Sequence, residues 1–507
     1  MFRSSSPKPS LKKLQQDLLN SQKEIAALEA LVVAVNPAHF DVHLLPITVL
    51  RAIFLYFLPL GSPLTLCWVC HRWRAVAMST VNLWINPSFV LGSAFSSAGL
   101  DHTDRLEHCV REMCGWVDRG RTSSKVSMSI FRSTNTNYFE WSPPSFLEPL
   151  IRPYAECYRS LNLDVAQHQL HPLLDGRSHF PNLQSLSLHL PFLDLDLWLW
   201  HEGLSLSAPS LQILTITAGT VVLDSTVFNG FTTSFPWSQL DTLDMQDTLL
   251  DPPTWWEILS RCHSLRTGSF AVRPNPSRSR EHPIILPNLT TLHIKFQTQF
   301  YPRTTTEIFD PRIFHPVSFP SVSYLHVAAK VDWSDPLSFI EWVRRQSATL
   351  RCLTLEVRLS DAALFEVLGF CRDLEQLTLY LPHGDVSQCR PAFQAIQQRA
   401  LTKMRILTII SAAAIYVSAR TARFSSLDGV VFDLVQTVMT WVALELRPGS
   451  ELRLFADGEV LSELRTCLRE GNDIVIISHV SDETSGGGVH ADCTSLRIQQ
   501  GSRILRI

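Results

Sequence analysis

The chain has 507 residues, of which 45% are apolar and only 18% charged, with 44 basic against 47 acidic side chains and a net charge of −3. That much apolar content excludes a disordered chain, and the balanced charge excludes nucleic-acid binding driven by bulk electrostatics. The length corresponds to roughly two to four domains or one long repeat array. Eleven cysteines without regular spacing do not read as a disulfide framework and point to the reducing cytoplasm or nucleus. The first twenty residues hold no apolar h-region, so no secretory signal is expected. Residues 52–70 are free of charge over a span-length stretch, but Pro59, Gly61, Ser62 and Pro63 interrupt it. Two short buried helices with a turn between them are expected there, and no membrane span.

Residues 1–10, rich in Ser, Pro and basic side chains, are expected to be a disordered tail. Residues 11–36 follow a heptad pattern through Leu11, Leu14, Leu18, Ser21, Ile25, Leu28 and Val32. These side chains share one helix face. Three heptads make a short seam, so the helix either packs on its own chain or self-associates weakly.

Residues 41–85 form a compact apolar unit. Leu45-Pro46 opens it, and Val49, Leu50, Ile53, Phe54 and Phe57 follow at helical spacing. Ser62 and Pro63 have the character of an N-cap and a first helical residue. Leu66, Val69, Cys70, Trp73 and Val76 then form one stripe of a second helix, and Leu83-Trp84 ends the unit. About forty residues are too few for a robust independent core, so part of this apolar surface is expected to be covered by something else.

With Leu45-Pro46, Ile53-Phe54, Val69-Cys70-His71-Arg72-Trp73-Arg74 and Leu83-Trp84 in order, this segment resembles an F-box. The chain as a whole is similar to the large F-box families of basidiomycete fungi. The departure is Ile47-Thr48, where the family usually has a proline-like residue and an acidic one. The resemblance implies that Leu45, Pro46, Ile53, Phe54, Val69, Cys70, Trp73, Leu83 and Trp84 form or face the docking site for the adaptor of an SCF-type cullin–RING ubiquitin ligase.

Residues 86–120 are expected to be a helical linker. From residue 121 to 507 a Leu-x-x-Leu-x-Leu template recurs. Its copies start at Leu183, Leu211, Leu240, Leu265, Leu289, Val322, Leu350, Leu374 and Met404, in steps of 24 to 33 residues. Earlier copies are expected near Val126/Met128 and Tyr158/Leu161/Leu163, and the copy at Leu265/Gly268/Phe270 is degenerate. Each Leu-x-Leu reads as a short strand with leucines inward. One such strand cannot bury its own apolar face, but stacked copies bury a continuous core. Asp251-Pro252-Pro253, Asp335-Pro336 and Ser360-Asp361 read as helix starts between strands. The expected fold is mixed α/β: short F-box helices preceded by a heptad helix, then an irregular leucine-rich-repeat solenoid with a parallel concave sheet and convex helices or loops. The asparagine usual after the strand is replaced by Pro191, Gly219 and Thr248, so no regular asparagine ladder is expected. Residues 481–489 read as a flexible loop.

Several motifs carry possible chemistry. Cys67-Trp68-Val69-Cys70-His71 is a literal haem-attachment string, but it lies inside the apolar unit, where Cys70 reads as a packing residue. His479, Asp482, His490, Asp492 and Cys493 hold the ingredients of a triad around a glycine-rich loop, without the rigid frame a nucleophile needs. No nucleophile elbow, phosphate-binding loop or dinucleotide fingerprint occurs. No cofactor, metal site or catalytic residue is expected.

The functional expectation is therefore a non-catalytic, substrate-recognition subunit of a ubiquitin ligase. Its partners would be the adaptor and an unidentified protein substrate, with neither nucleic acid nor membrane. The expected substrate surface is the outward set on the strands: His189, Thr217, Gln246, His293, Lys295, His326, Glu356 and Tyr380. His293 and His326 fall in consecutive copies and are expected to approach each other. A repeat scaffold without a ligase role is the alternative, and an enzyme built on the C-terminal His/Asp/Cys group is a third reading.

Overall fold

The computed structural model describes residues 45–57, 63–91, 102–121, 125–132, 147–165, 167–190, 205–218, 222–223, 235–273, 283–297, 311–329, 336–357, 359–381, 392, 394–395, 398, 401, 403–411, 451–456, 477–479 and 494–499. The expected tail at 1–10, the heptad segment at 11–36 and the loop at 481–489 lie outside the described residues. The chain divides into two compact units, Met1–Trp84 and Ile85–Ile507.

In the first unit, helices α1 (Ile47–Phe57), α2 (Pro63–Val69) and α3 (His71–Ser79) precede a single 3₁₀ turn over Val81–Leu83. Leu50, Phe54, Leu66, Cys67, Val76, Ala77, Leu83 and Trp84 are buried. The rings of Phe54 and Trp73 meet at 5.0 Å, and Trp84 Nε1 donates to Ala77 O over 2.9 Å. The charge-free stretch 52–70 is divided between α1 and α2, and among the described residues no helix is long and apolar enough to cross a membrane.

The expected second helix is two helices. Cys70 is extended (φ −161°, ψ 170°) and serves as the N-cap of α3, its Sγ accepting from the Trp73 N–H. Arg74 Nε donates to Cys67 O over 2.9 Å, at the end of α2. The break rotates Val69 off the buried stripe, and it is 57% exposed.

The second unit is built on a large mixed sheet with a long parallel run. Its strands are β1 (Ser88–Leu91), β2 (Val126–Arg132), β3 (Tyr158–Asp164), β4 (Asp175–His179), β5 (Ser185–His189), β6 (Ser205–Ser207) and β7 (Ile213–Thr217). They continue with β8 (Val222–Leu223), β9 (Thr242–Leu250), β10 (Thr267–Val272), β11 (Ile284–Ile285), β12 (Thr291–Phe296), β13 (Val317–Ser318) and β14 (Tyr324–Ala329). The last are β15 (Cys352–Glu356), β16 (Gln376–Leu381), β17 (Ile406–Ser411), β18 (Glu451–Ala456), β19 (Ile477–His479) and β20 (Thr494–Gln499). The main sheet runs β1-β2-β3-β5-β7-β9-β10-β12-β14-β15-β16-β17-β18-β20-β19, with β8 paired to β9. Pairing is parallel from β1 to β18 and antiparallel at β18-β20 and β20-β19. Strands β4-β6 and β11-β13 form two small separate pairs.

The register explains the sequence period. Leu161, Leu186, Leu214, Leu243, Gly268, Leu292, Leu325, Leu353, Leu377, Leu407 and Leu452 are consecutive partners across the sheet. Burying each leucine from Leu161 to Leu407 stabilises by roughly 1.5–3 kcal/mol, which no strand could collect alone. Residues 86–120, expected as a helical linker, contain β1 as well as helix α4 (His102–Gly120).

Short helices α5 (Glu148–Ile151) and α6 (His171–Leu174) precede the longer α7 (Pro252–Arg261), α8 (Leu337–Gln346) and α9 (Asp361–Phe370). Asp251 caps α7 by accepting from Thr254 N, and Ser360 caps α9 by accepting from Ala363 N, as the spacing predicts. Helix α8 starts after Pro336 and leaves Leu337 exposed, while Ile340, Trp342 and Val343 are buried. The core joins these helix faces to the inward leucines of the sheet. Trp255 meets Phe270 at 6.2 Å and Trp342 stacks on Phe314 at 4.3 Å.

Polar side chains stitch neighbouring segments through backbone groups. Asn182 Nδ2 donates to Glu156 O, Gln239 Nε2 to Ala208 O, and Thr349 Oγ1 to Pro320 O. Thr248 is fully buried; its Oγ1 donates to Ile216 O over 2.7 Å and accepts from Ala218 N over 2.9 Å. Here a threonine, not an asparagine, makes both bonds, because its hydroxyl is donor and acceptor at once. Positions 191 and 219 lie outside the described residues.

Candidate functional site

Each unit presents one surface with functional character. In the first, the nine residues expected to form or face the docking site separate by burial. Phe54, Leu83 and Trp84 are fully covered; Leu45, Cys70 and Trp73 are half-buried; Pro46, Ile53 and Val69 are exposed. The Leu45 carbonyl accepts from the Arg72 guanidinium, which ties the opening residue to α3. Further large apolar side chains of this unit are exposed: Ile47, Leu55, Tyr56, Trp68 and Met78, with Tyr56 81% and Trp68 75% exposed. Sequence reasoning missed Tyr56 and Trp68. Their signal was available as large apolar residues off the buried helical stripes. Exposed large apolar groups in this number on so small a unit are of the kind that a bound protein, membrane or ligand covers. In the haem-type string, Cys67 is buried, Cys70 caps a helix and both are free thiols.

In the second unit the candidate surface is the face of the main sheet opposite the leucine rows. Burial alternates along the strands, as in Thr291–Phe296, where Leu292, Ile294 and Phe296 are covered and Thr291, His293 and Lys295 are partly open. Of the eight expected residues, His293, Lys295, His326, Glu356 and Tyr380 lie on the neighbouring strands β12, β14, β15 and β16. His293 and His326 are direct partners in register. Their Nδ1 atoms are 3.3 Å apart and their rings meet edge-on at 5.4 Å. His326 stacks on Tyr380 at 6.5 Å, and its Nε2 faces Glu356 Oε2 at 3.8 Å. Tyr324 closes the other side, its ring 5.0 Å from that of His293. Burial, with the charge of His326 second, pushes the His293 imidazole down to about 4.

Tyr324 was missed because the template was read only from the position between the two leucines onward. Alternation one step earlier places Tyr324 on the same face. The row of His326 continues through Thr354, Thr378 and Thr408, all buried.

The other three expected residues do not join this cluster. His189 and Thr217 are register partners on β5 and β7. Gln246 was expected in the outward row. Pairing of β10 shifts from Met245 to Leu249, so Gln246 lies in the skipped segment and is exposed. The cause is the extra length of β9, which buries Thr248 and Leu249. His490, Asp492 and Cys493 of the C-terminal group lie outside the described residues.

Among the described residues no three His, Cys, Asp or Glu side chains converge as a metal-holding group. No protein-family profile matches this chain, and no curated protein sequence matches it significantly.

Proposed function

We propose that this protein is the substrate-recognition subunit of an SCF-type ubiquitin ligase. In this reading its first unit is an F-box that docks the adaptor. Its second unit is a leucine-rich-repeat-like solenoid whose outer sheet face holds a protein substrate. The mechanism is proximity: substrate held beside a charged conjugating enzyme sees a raised effective concentration at its lysines. No nucleic acid or membrane takes part, and the compartment is cytoplasm or nucleus.

The observation that carries the reading is the exposed apolar surface of the first unit, with Ile53, Tyr56, Trp68 and Val69 open around a core of Phe54 and Trp84. Tryptophan and tyrosine are enriched among the few residues that carry most of the energy of protein interfaces. Supporting the second half are the in-register leucine rows and the aromatic-histidine cluster on the opposite face.

The test is a pull-down of purified adaptor by the full chain and by an Ile53→Glu/Val69→Glu variant. Both positions are exposed, so the variant should keep the wild-type circular dichroism spectrum. Stoichiometric capture by the wild type and loss in the folded variant is the expected result. Failure of the folded wild type to capture adaptor overturns the ligase reading and leaves a repeat scaffold.

A further inference from the structure

We infer that His293 and His326 form a binding site for a divalent transition-metal ion of the zinc class, with the two Nδ1 atoms as ligands. The inference goes beyond the ligase reading and depends on neither adaptor nor substrate.

The geometry carries it. Ligands at zinc–nitrogen distances of about 2.0–2.1 Å in tetrahedral arrangement lie about 3.3–3.4 Å apart. The two Nδ1 atoms are 3.3 Å apart, from rings that meet at 78°. The same spacing is within hydrogen-bond reach, so the two nitrogens face each other closely enough to share either one proton or one ion.

The second observation concerns the far side of His326. Its Nε2 is buried and makes no hydrogen bond among the described residues, yet it faces the Glu356 carboxylate at 3.8 Å. A carboxylate behind a histidine holds the proton on the distal nitrogen and leaves the other lone pair for the ion. Tyr324 and Tyr380 flank the pair and restrict both rings. Parallel pairing in register holds the two strands at fixed separation, so the bite needs no backbone movement. Zinc sites of proteins have three or four protein ligands; with two here, the remaining tetrahedral positions fall to water or to a side chain brought by a bound protein.

The experiment uses chelator-treated full-length protein, titrated with Zn²⁺ by calorimetry and with Co²⁺ by visible absorption. The wild type is expected to bind one equivalent that His293→Gln and His326→Gln both lose. Glu356→Gln should weaken binding by about tenfold or more. Co²⁺ should give visible bands without the near-ultraviolet absorption of a cobalt–thiolate bond. Equal stoichiometry in wild type and both histidine variants overturns the inference, as does a Co²⁺ spectrum dominated by thiolate. Circular dichroism checks the variants. If one misfolds, the other variant and the wild-type Co²⁺ spectrum still decide.

Discussion

Gly268 stands where every register neighbour from Leu161 to Leu452 is leucine, so a consensus argument would replace it with leucine to stabilise the protein. The packing predicts the opposite. A Cβ added at 268 would lie 2.7 Å from Phe270 Cε2, 3.2 Å from Phe270 Cζ and 3.4 Å from Leu265 Cδ2. Phe270 is fully buried and its ring is held against Trp255, so it has no open space to rotate into. The ring occupies the volume that leucine fills in neighbouring strands. Replacing glycine reduces the entropy of the unfolded chain, which favours folding by roughly 0.4–1 kcal/mol. Overpacking costs about 1–3 kcal/mol, and a whole leucine side chain belongs at the upper end. Gly268→Leu should therefore destabilise by about 2–2.6 kcal/mol net, and Gly268→Ala by less. Phe270→Leu alone opens a void, but combined with Gly268→Leu it should recover part of both losses. The expected coupling is at least about 1 kcal/mol. Urea unfolding followed by tryptophan fluorescence and circular dichroism would measure the wild type and all four variants. A Gly268→Leu variant as stable as wild type, or strictly additive effects, would refute the reasoning.

Three further outcomes are expected. Thr248→Val keeps the shape but strips the partners of Ile216 O and Ala218 N; a loss of about 1–3 kcal/mol is expected, with faster amide exchange at Ala218 as the local signature. Trp342→Ala removes a fully buried ring that stacks on Phe314 and touches Phe319 and Phe339. It should cost about 3–5 kcal/mol, and an unfolding midpoint within error of wild type would contradict the packing. His293 sits at about 4 in the folded chain against 6.5 ordinarily, so between those values the unfolded state binds more protons and stability falls as pH drops. In chelator, the wild-type melting temperature should fall more steeply than that of His293→Gln between pH 6.5 and 4; parallel profiles would argue against a buried neutral imidazole.

Local regularities were legible in the chain itself. The period-two leucines and their recurrence located the strands from β2 to β17 wherever the template held, because alternation and stacking leave a direct trace in residue order. Asp251 and Ser360 announced helix starts for the same reason: an N-cap acts on its own next turn. Strand β1 escaped notice because its four residues fall outside the template and, among the described residues, pair with β2 alone. The split at Cys70 was also hidden. Helical spacing runs on through it, and the choice to stop rests on Arg74 reaching back to Cys67 and on the Cys70 sulfur capping α3.

Alternation by itself assigned His293, Lys295, His326, Glu356 and Tyr380 to one face, and order along the chain made His293 and His326 plausible neighbours. Tertiary structure decided the rest. The 3.3 Å spacing of the histidine nitrogens, Glu356 behind one ring and a tyrosine on either flank depend on the register of strands separated by 24 to 33 residues. Gln246 has no register partner on β10 because β9 accommodates extra residues where β10 does not, and Gly268 became necessary because Phe270 turned its ring into the leucine row. These are properties of how volumes and hydrogen bonds from distant segments fit together, and such fits have no counterpart in the local pattern of the chain.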